Sequence, residues 1–398
     1  VSVLLIHTSF VSGFTVHSGL GIYTSRLEIG VSVFFLISGF VLYRPFAAAH
    51  FAAAPAPALR GFFVRRLLRI IPAYWLALTV TTYVLHANQT GLHAFAYALT
   101  HYGFVQIYFP SQVLKGITQA WSLDTEITFY FFLPVYAALV ARGRPSASVV
   151  LRRELAGVAA MTAVSYAFRE WAFSQHFTLA HTMGDWLPAN TDLFALGMLL
   201  AVGSTWYAQK GAQPSIARSR AFPLACWLCA AAAFWAVSHL GIPVVPLYQI
   251  SPGLNLARQT LYGVFAFFLI LPAVFGPQQV GLIRGFLRLK PVAAVGIVSY
   301  GVYLWHQGWV TMYLRWTHVR LFDNPWPPLL GAAFGLAALS AGVSYFGLEK
   351  PALRLRDRLD GQSRVKVGGA PPPTAPPTAP PTAVLEAGAP GDPAVSLA

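Results

Sequence analysis

Apolar residues run through this chain in long blocks separated by short polar segments. Ten blocks stand out, at 1–14, 30–46, 68–86, 121–141, 155–174, 189–207, 221–240, 256–276, 292–314 and 328–348. Most approach the ~20 residues that a helix needs to cross a hydrocarbon core. None alternates apolar and polar positions with period two, so the pattern predicts helices and argues against an outer-membrane barrel. Segment 87–120 is different. Its run HAFAYALTHYGFVQIYF mixes aromatics with His93, His101, Tyr102 and Gln106. It reads as an interfacial or re-entrant segment rather than a further span.

Composition strengthens the membrane reading. Of the 398 residues 56% are apolar and 10% charged, and mean hydropathy is +0.57. A soluble domain carries ~25% charged residues; so few charges could not cover a water-soluble surface of this size. The expected fold class is all-α, a polytopic membrane helix bundle of about ten transmembrane helices over residues 1–358. Residues 359–398 are rich in Pro, Ala and Thr and are expected to be a disordered cytoplasmic tail. No internal repeat is evident.

The net charge of +14 raises the question of a polyanionic partner. Distribution answers it. All but six of the 27 Lys and Arg residues fall in loops 44–69, 142–153, 208–220 and 277–291 or in the tail from 350. The six are Arg26, Lys115, Arg169, Arg258, Arg315 and Arg320. This is the positive-inside pattern, with both termini cytoplasmic. The basic residues are split among loops, so no nucleic-acid partner is expected. Cys226 and Cys229 form CWLC inside an apolar block; no second cysteine pair completes a metal site, and both read as small apolar residues on a helix. The chain begins without Met and inside an apolar run, so the first span is expected to extend upstream.

Candidate chemistry lies in ionisable residues stranded inside apolar blocks, since such a group costs at least ~2.5 kcal/mol for Asp at mid-bilayer. They are His7, Asp124, Glu126, Asp192, His306 and Glu349. A neutral imidazole at His7 can take a proton from a hydroxyl; a hydrogen-bonded structural His is the alternative. In AWSLDTEITFYFFLP, Ser122, Glu126 and Tyr130 recur at i,i+4 and share a helix face. Ser122 is also placed to cap that helix. In SYGVYLWHQ, Ser299, Tyr303 and His306 follow one face. In RGFFVRRLLRIIPAYW, Arg65, Arg66 and Arg69 lie within about one turn. They read either as membrane-edge anchors or as an anion site for a phosphorylated cytosolic molecule. Gly30, Ser38 and Gly39 are small residues that let helices approach closely. Glu349, before Pro351, reads as a helix end with an ion pair. No ligand set has convincing metal spacing, and no GxSxG elbow occurs.

In this order, a His in span 1, GVSVFFLISGFVL, FFVRRLLRIIPAYW, AWSLDTEITFY, SYGVYLWH and LEKP are similar to motifs of the acyltransferase-3 family of integral membrane O-acyltransferases. The resemblance spans residues 1–358. It implies transfer of an acyl group, commonly acetyl, from cytosolic acyl-CoA to a hydroxyl on a glycan, lipid or macrolide-like acceptor, at a bacterial plasma membrane. It implies no permanently bound cofactor: acyl-CoA is a donor co-substrate. On this reading His7 is the general base and Glu126 orients it or stabilises its charge. Arg65, Arg66 and Arg69 bind CoA phosphates, and Ser122, Tyr130, Tyr303 and His306 are substrate-side groups. Two motif positions depart from the family, and no soluble hydrolase-like domain, which some members carry, follows the last span in this sequence. The family's basic residue about eleven positions before the span-1 His falls outside this sequence, and Asn190 stands where an Arg often precedes the Asp of span 6. A transporter or flippase for a glycolipid or drug-like solute is the competing expectation.

Overall fold

Among the described residues all regular structure is helical. The structure is a computed structural model; it describes every residue except 88–94, 144–145, 246–248, 277–281, 324 and 355–398. The Pro/Ala/Thr-rich tail and His93 therefore lie outside the described residues. In chain order the helices are α1 (Ser2–Ser12), α2 (Phe14–His17), α3 (Gly21–Thr24), α4 (Ile29–Phe51), α5 (Leu59–Thr79), α6 (Phe95–Tyr102), α7 (Trp121–Ala141) and α8 (Ala147–Phe173). They continue with α9 (Phe177–Gly184), α10 (Leu187–Gln209), α11 (Phe222–Ser238), α12 (Pro252–Phe275), α13 (Leu282–Leu287), α14 (Lys290–Thr317) and α15 (Trp326–Ser344).

Local chemistry explains several boundaries. Helices α10, α11, α12, α14 and α15 each carry Pro in the first turn, where its missing N–H would be unpaired anyway. Ser251 caps α12 by accepting from the Leu254 N–H. Helix α1 ends at Gly13, which adopts the left-handed conformation (φ 84°). A Cβ there would also meet the Phe322 carbonyl oxygen at 2.3 Å, so Gly is required twice over.

All ten apolar blocks are helical. Helix α7 has the expected bounds, whereas α5 and α8 begin at Leu59 and Ala147, well before the apolar blocks at 68 and 155. Among the described residues six stretches are long and apolar enough to cross a membrane: Gly21–Phe51, Leu59–Val84, Thr118–Ala141, Phe177–Gln209, Pro252–Phe275 and Trp326–Arg354. Helices α1 and α11 are shorter, and α8 and α14 are long but more polar. The result is an all-α membrane helix bundle.

Helices α4 and α10 pack backbone to backbone. A Cβ on Gly39 would lie 2.3 Å from the Phe194 oxygen, and one on Gly197 would lie 2.0 Å from the Leu36 oxygen. Around this crossing Phe194 stacks on Phe129 and Phe35, with ring centroids 4.0 and 4.7 Å apart, which locks α7 onto the pair. Segment 95–120 folds as α6 and two short 3₁₀ turns, at Gln106–Tyr108 and Thr118–Ala120, with His101 and Ile107 fully buried.

Candidate active site

His7 and His306 meet. They come from opposite ends of the chain, 299 residues apart, and His7 Nδ1 lies 2.8 Å from His306 Nε2. Their rings are stacked, with centroids 5.0 Å apart. The other ring nitrogen of His306 faces two backbone carbonyls, Tyr303 O at 2.8 Å and Val302 O at 3.2 Å. Carbonyls only accept, so His306 Nδ1 carries the proton in the neutral ring and Nε2 carries a lone pair. His7 Nδ1–H then donates to it. This leaves His7 Nε2 as an unprotonated nitrogen. His306 is fully buried; His7 is not, and it lines a cavity of about 560 Å³.

Helix α14 is held in register by the entry to α7. The Gln119 side-chain amide donates to the carbonyls of Tyr303 (2.9 Å) and Leu304 (3.2 Å). In return, Tyr303 O–H donates to the Gln119 carbonyl, and its oxygen lies 2.7 Å from Ser122 Oγ. Ser122 is not the cap of α7: the helix begins at Trp121 without a side-chain cap, and Ser122 turns to Tyr303. Tyr303 and Gln119 both line the cavity. Gln307, the residue after His306, reaches the His7 ring.

The other predicted residues form a second cluster. Glu126 Oε1 accepts from Ser38 Oγ–H at 2.6 Å, across the α4–α7 contact. Tyr130 lies beside the same carboxylate, and the positive charges of Arg66 and Arg69 act on it from beyond ion-pair distance. Arg65 and Arg69 are exposed, and Arg65 folds its guanidinium over Gly61. The structure brings together His7, His306, Tyr303 and Ser122, and separately Glu126, Tyr130, Arg66 and Arg69. Glu126 turns to Ser38 rather than to His7, and Glu28, just before α4, lines the same cavity as His7. Tyr300 O–H donates to the Ile70 carbonyl at 2.9 Å, tying the arginine helix α5 to the histidine helix α14. Tyr300 and His306 are about 9 Å apart along the α14 axis, at 1.5 Å per residue.

The remaining ionisable residues singled out in the sequence, Asp192, Asp124 and Glu349, sit in different surroundings. Asp192 accepts from Ser165 (2.8 Å) and from the Gln259 amide (2.9 and 3.1 Å). No arginine precedes it in α10, but Arg169 reaches in from α8 and donates to Asn190 Oδ1 at 3.3 Å. Asp124 is buried outside the cavity lining; its carboxylate makes no well-formed hydrogen bond, with only the Ile107 backbone nearby. Among the described residues Glu349 makes no ion pair and accepts from Ser344 at 3.4 Å, so the expected ion pair at this helix end is absent. Among them, too, no three His, Cys, Asp or Glu side chains converge to hold a metal ion.

Comparison with known proteins agrees with these motifs. The acyltransferase domain of the Acyl_transf_3 family matches residues 1–346. Nodulation protein 10 of Rhizobium leguminosarum bv. viciae is 25% identical, over 83% of each chain. Exopolysaccharide production protein ExoZ of Rhizobium meliloti is 26% identical, over 82% of this chain and 89% of that protein. Peptidoglycan O-acetyltransferase OatA of Listeria monocytogenes is 24% identical over 78% of this chain, which spans 50% of that longer protein. No solved structure matches the chain. The family match runs from residue 1 to 346 of a helix bundle in which His7 and His306 meet beside a cavity; the chain belongs to the acyltransferase-3 family and is a membrane O-acyltransferase.

Proposed function

We infer that the chain transfers an acyl group, most simply acetyl, from acyl-CoA to a hydroxyl of an acceptor held in the His7 cavity. The observation that carries this reading is His7 on the cavity wall, with its Nδ1 turned to His306 Nε2 and its tautomer set by His306 and the α14 carbonyls. The acceptor hydroxyl attacks the thioester carbonyl while His7 Nε2 takes its proton. The C–S bond then breaks, and the imidazolium returns the proton to the leaving thiolate. His306 shares the positive charge by accepting from His7 Nδ1–H throughout.

Arg65, Arg66 and Arg69 are the donor side of this reading. Guanidinium groups bind phosphate through paired hydrogen bonds, and the Glu126 carboxylate attracts Arg66 and Arg69 through space. The same end of the bundle carries the arginine-rich loops, so we place it in the cytoplasm of a bacterial cell, with both termini there. The cavity is lined from the opposite helix ends, by the start of α4, the entry to α7 and the starts of α10 and α12.

Purified protein in nanodiscs, given acetyl-CoA and a panel of glycan, lipid and macrolide alcohols, should form an O-acetyl ester on at least one alcohol class. His7→Ala should lower that rate by ~10²–10⁴-fold, the usual contribution of a general base. Transfer at the parent rate in folded His7→Ala would remove His7 from the chemistry.

A further inference from the structure

Two buried arginines line the His7 cavity without a carboxylate to pair with. Arg26, just before α4, is 4% exposed and Arg169, on α8, is 5% exposed. Arg26 donates to the carbonyls of Ile242 (2.5 Å) and Pro243 (3.2 Å), and its Nε–H is buried with no partner. Arg169 donates to the Ala189 carbonyl (2.6 Å) and to the side-chain oxygens of Asn255 (2.8 Å) and Asn190 (3.3 Å). Every one of these acceptors is a neutral oxygen. Among the described residues no Asp or Glu oxygen lies within 4.0 Å of either guanidinium.

The nearby carboxylates are occupied elsewhere or stand apart. Glu28 accepts from Arg258 (3.3 Å) and from Tyr262 O–H (2.9 Å). Asp192 is bonded to Ser165 and Gln259. Asp185 lines the cavity beyond ion-pair distance of Arg169. Among the charged lining residues, Arg26, Arg169 and Arg258 face Glu28 and Asp185, and Asp192, behind the lining, acts on Arg169 without touching it. A guanidinium cannot shed its proton, so burial cannot be relieved by neutralisation. A buried guanidinium with no carboxylate in direct contact retains a strong attraction for an anion that enters the cavity.

We propose that Arg26 and Arg169 bind a carboxylate or phosphate carried by the acyl acceptor, so that this enzyme acylates an acidic molecule rather than a neutral or purely lipophilic one. The proposal rests on the cavity being the acceptor site of the acyl transfer above. Charge-assisted hydrogen bonds from two arginines would fix the acceptor at one end while its hydroxyl meets His7 at the other.

The experiment uses the full chain in nanodiscs at constant ionic strength. Binding of D-glucuronate, inorganic phosphate and D-glucose is titrated by the shift in unfolding midpoint, alongside acetyl-CoA. Glucuronate, phosphate or both should stabilise the protein, and glucose should not; the anion that acts tells carboxylate from phosphate recognition. Arg26→Gln and Arg169→Gln should weaken anion binding by ~10–100-fold, the loss of one charged hydrogen-bonding partner. Arg26→Lys and Arg169→Lys should retain part of it, and they serve if a Gln variant does not fold. His7→Ala should bind the anion normally while losing transfer, which separates this proposal from the catalytic role of His7. The proposal is overturned if glucose stabilises as well as the anions, if neither anion acts, or if folded arginine variants respond like the parent. It is also overturned if those variants lose acetyl-CoA binding instead.

Discussion

Glu154 and the arginine pair Arg26 and Arg169 are buried charges in the same bundle, yet they are treated in opposite ways. The Glu154 carboxylate, on α8, is fully buried and saturated. Tyr43 O–H donates to both its oxygens (2.6 and 2.7 Å), Tyr136 O–H donates at 3.3 Å, and His50 Nδ1 lies at 3.0 Å. It lies outside the lining of the His7 cavity. Arg26 and Arg169 have only neutral oxygens and face a cavity of about 560 Å³ that also holds His7. A saturated charge welds helices together. A charge left short of partners beside a cavity is where a ligand gains most from binding.

The sharpest way to break this contrast is at His7. His7→Ala removes the base, and transfer should fall by ~10²–10⁴-fold with stability nearly unchanged. Glu154→Ala should do the reverse. Breaking a buried charged pair costs ~3–5 kcal/mol, so the unfolding midpoint should drop steeply while any protein that stays folded keeps its rate. A Glu154→Ala variant of parental stability would show that the cluster welds nothing.

His306→Ala tests positioning rather than proton transfer. His306 touches no lining space of its own; it sets the tautomer of His7. The change should lower kcat by ~10²-fold, the cost of a misplaced catalytic group, with the KM for acetyl-CoA unchanged. A KM effect without a kcat effect would contradict that role. The smallest effect belongs to the arginines of α5. Arg65→Ala with Arg66→Ala should raise the KM for acetyl-CoA by ~10-fold and leave kcat within a few-fold, because phosphate contacts form before the chemical step. Unchanged donor binding would leave them as membrane-edge anchors.

The helices were legible because each needs a continuous apolar stretch, and such stretches show in the sequence. Single site residues were legible for the same reason: His7 and His306 interrupt those stretches. Their pairing was not, since no local pattern links positions 299 apart. Glu154 was lost because apolar periodicity begins at 155, whereas α8 starts at Ala147 and carries LRREL into the bundle. Arg26 and Glu28 sit just ahead of an apolar block and resemble ordinary loop charges; only the fold brings Ile242 and Arg258 over them. Glu126 stands out in the sequence, but its partners, Ser38 and the α5 arginines, follow from how α4, α5 and α7 pack.

The most direct test measures transfer and stability together in two variants, His7→Ala and Tyr43→Phe, in nanodiscs with acetyl-CoA and an accepted alcohol. Tyr43→Phe removes a hydrogen bond to a charged group, worth ~1.5–3 kcal/mol, and touches nothing in the cavity. His7→Ala should lose at least ~10²-fold in kcat/KM with an unfolding midpoint near the parent's, and Tyr43→Phe should lower the midpoint at near-parental kcat/KM. Full transfer by folded His7→Ala, or loss of transfer in a stable Tyr43→Phe, would contradict the division between a welded cluster and a working cavity.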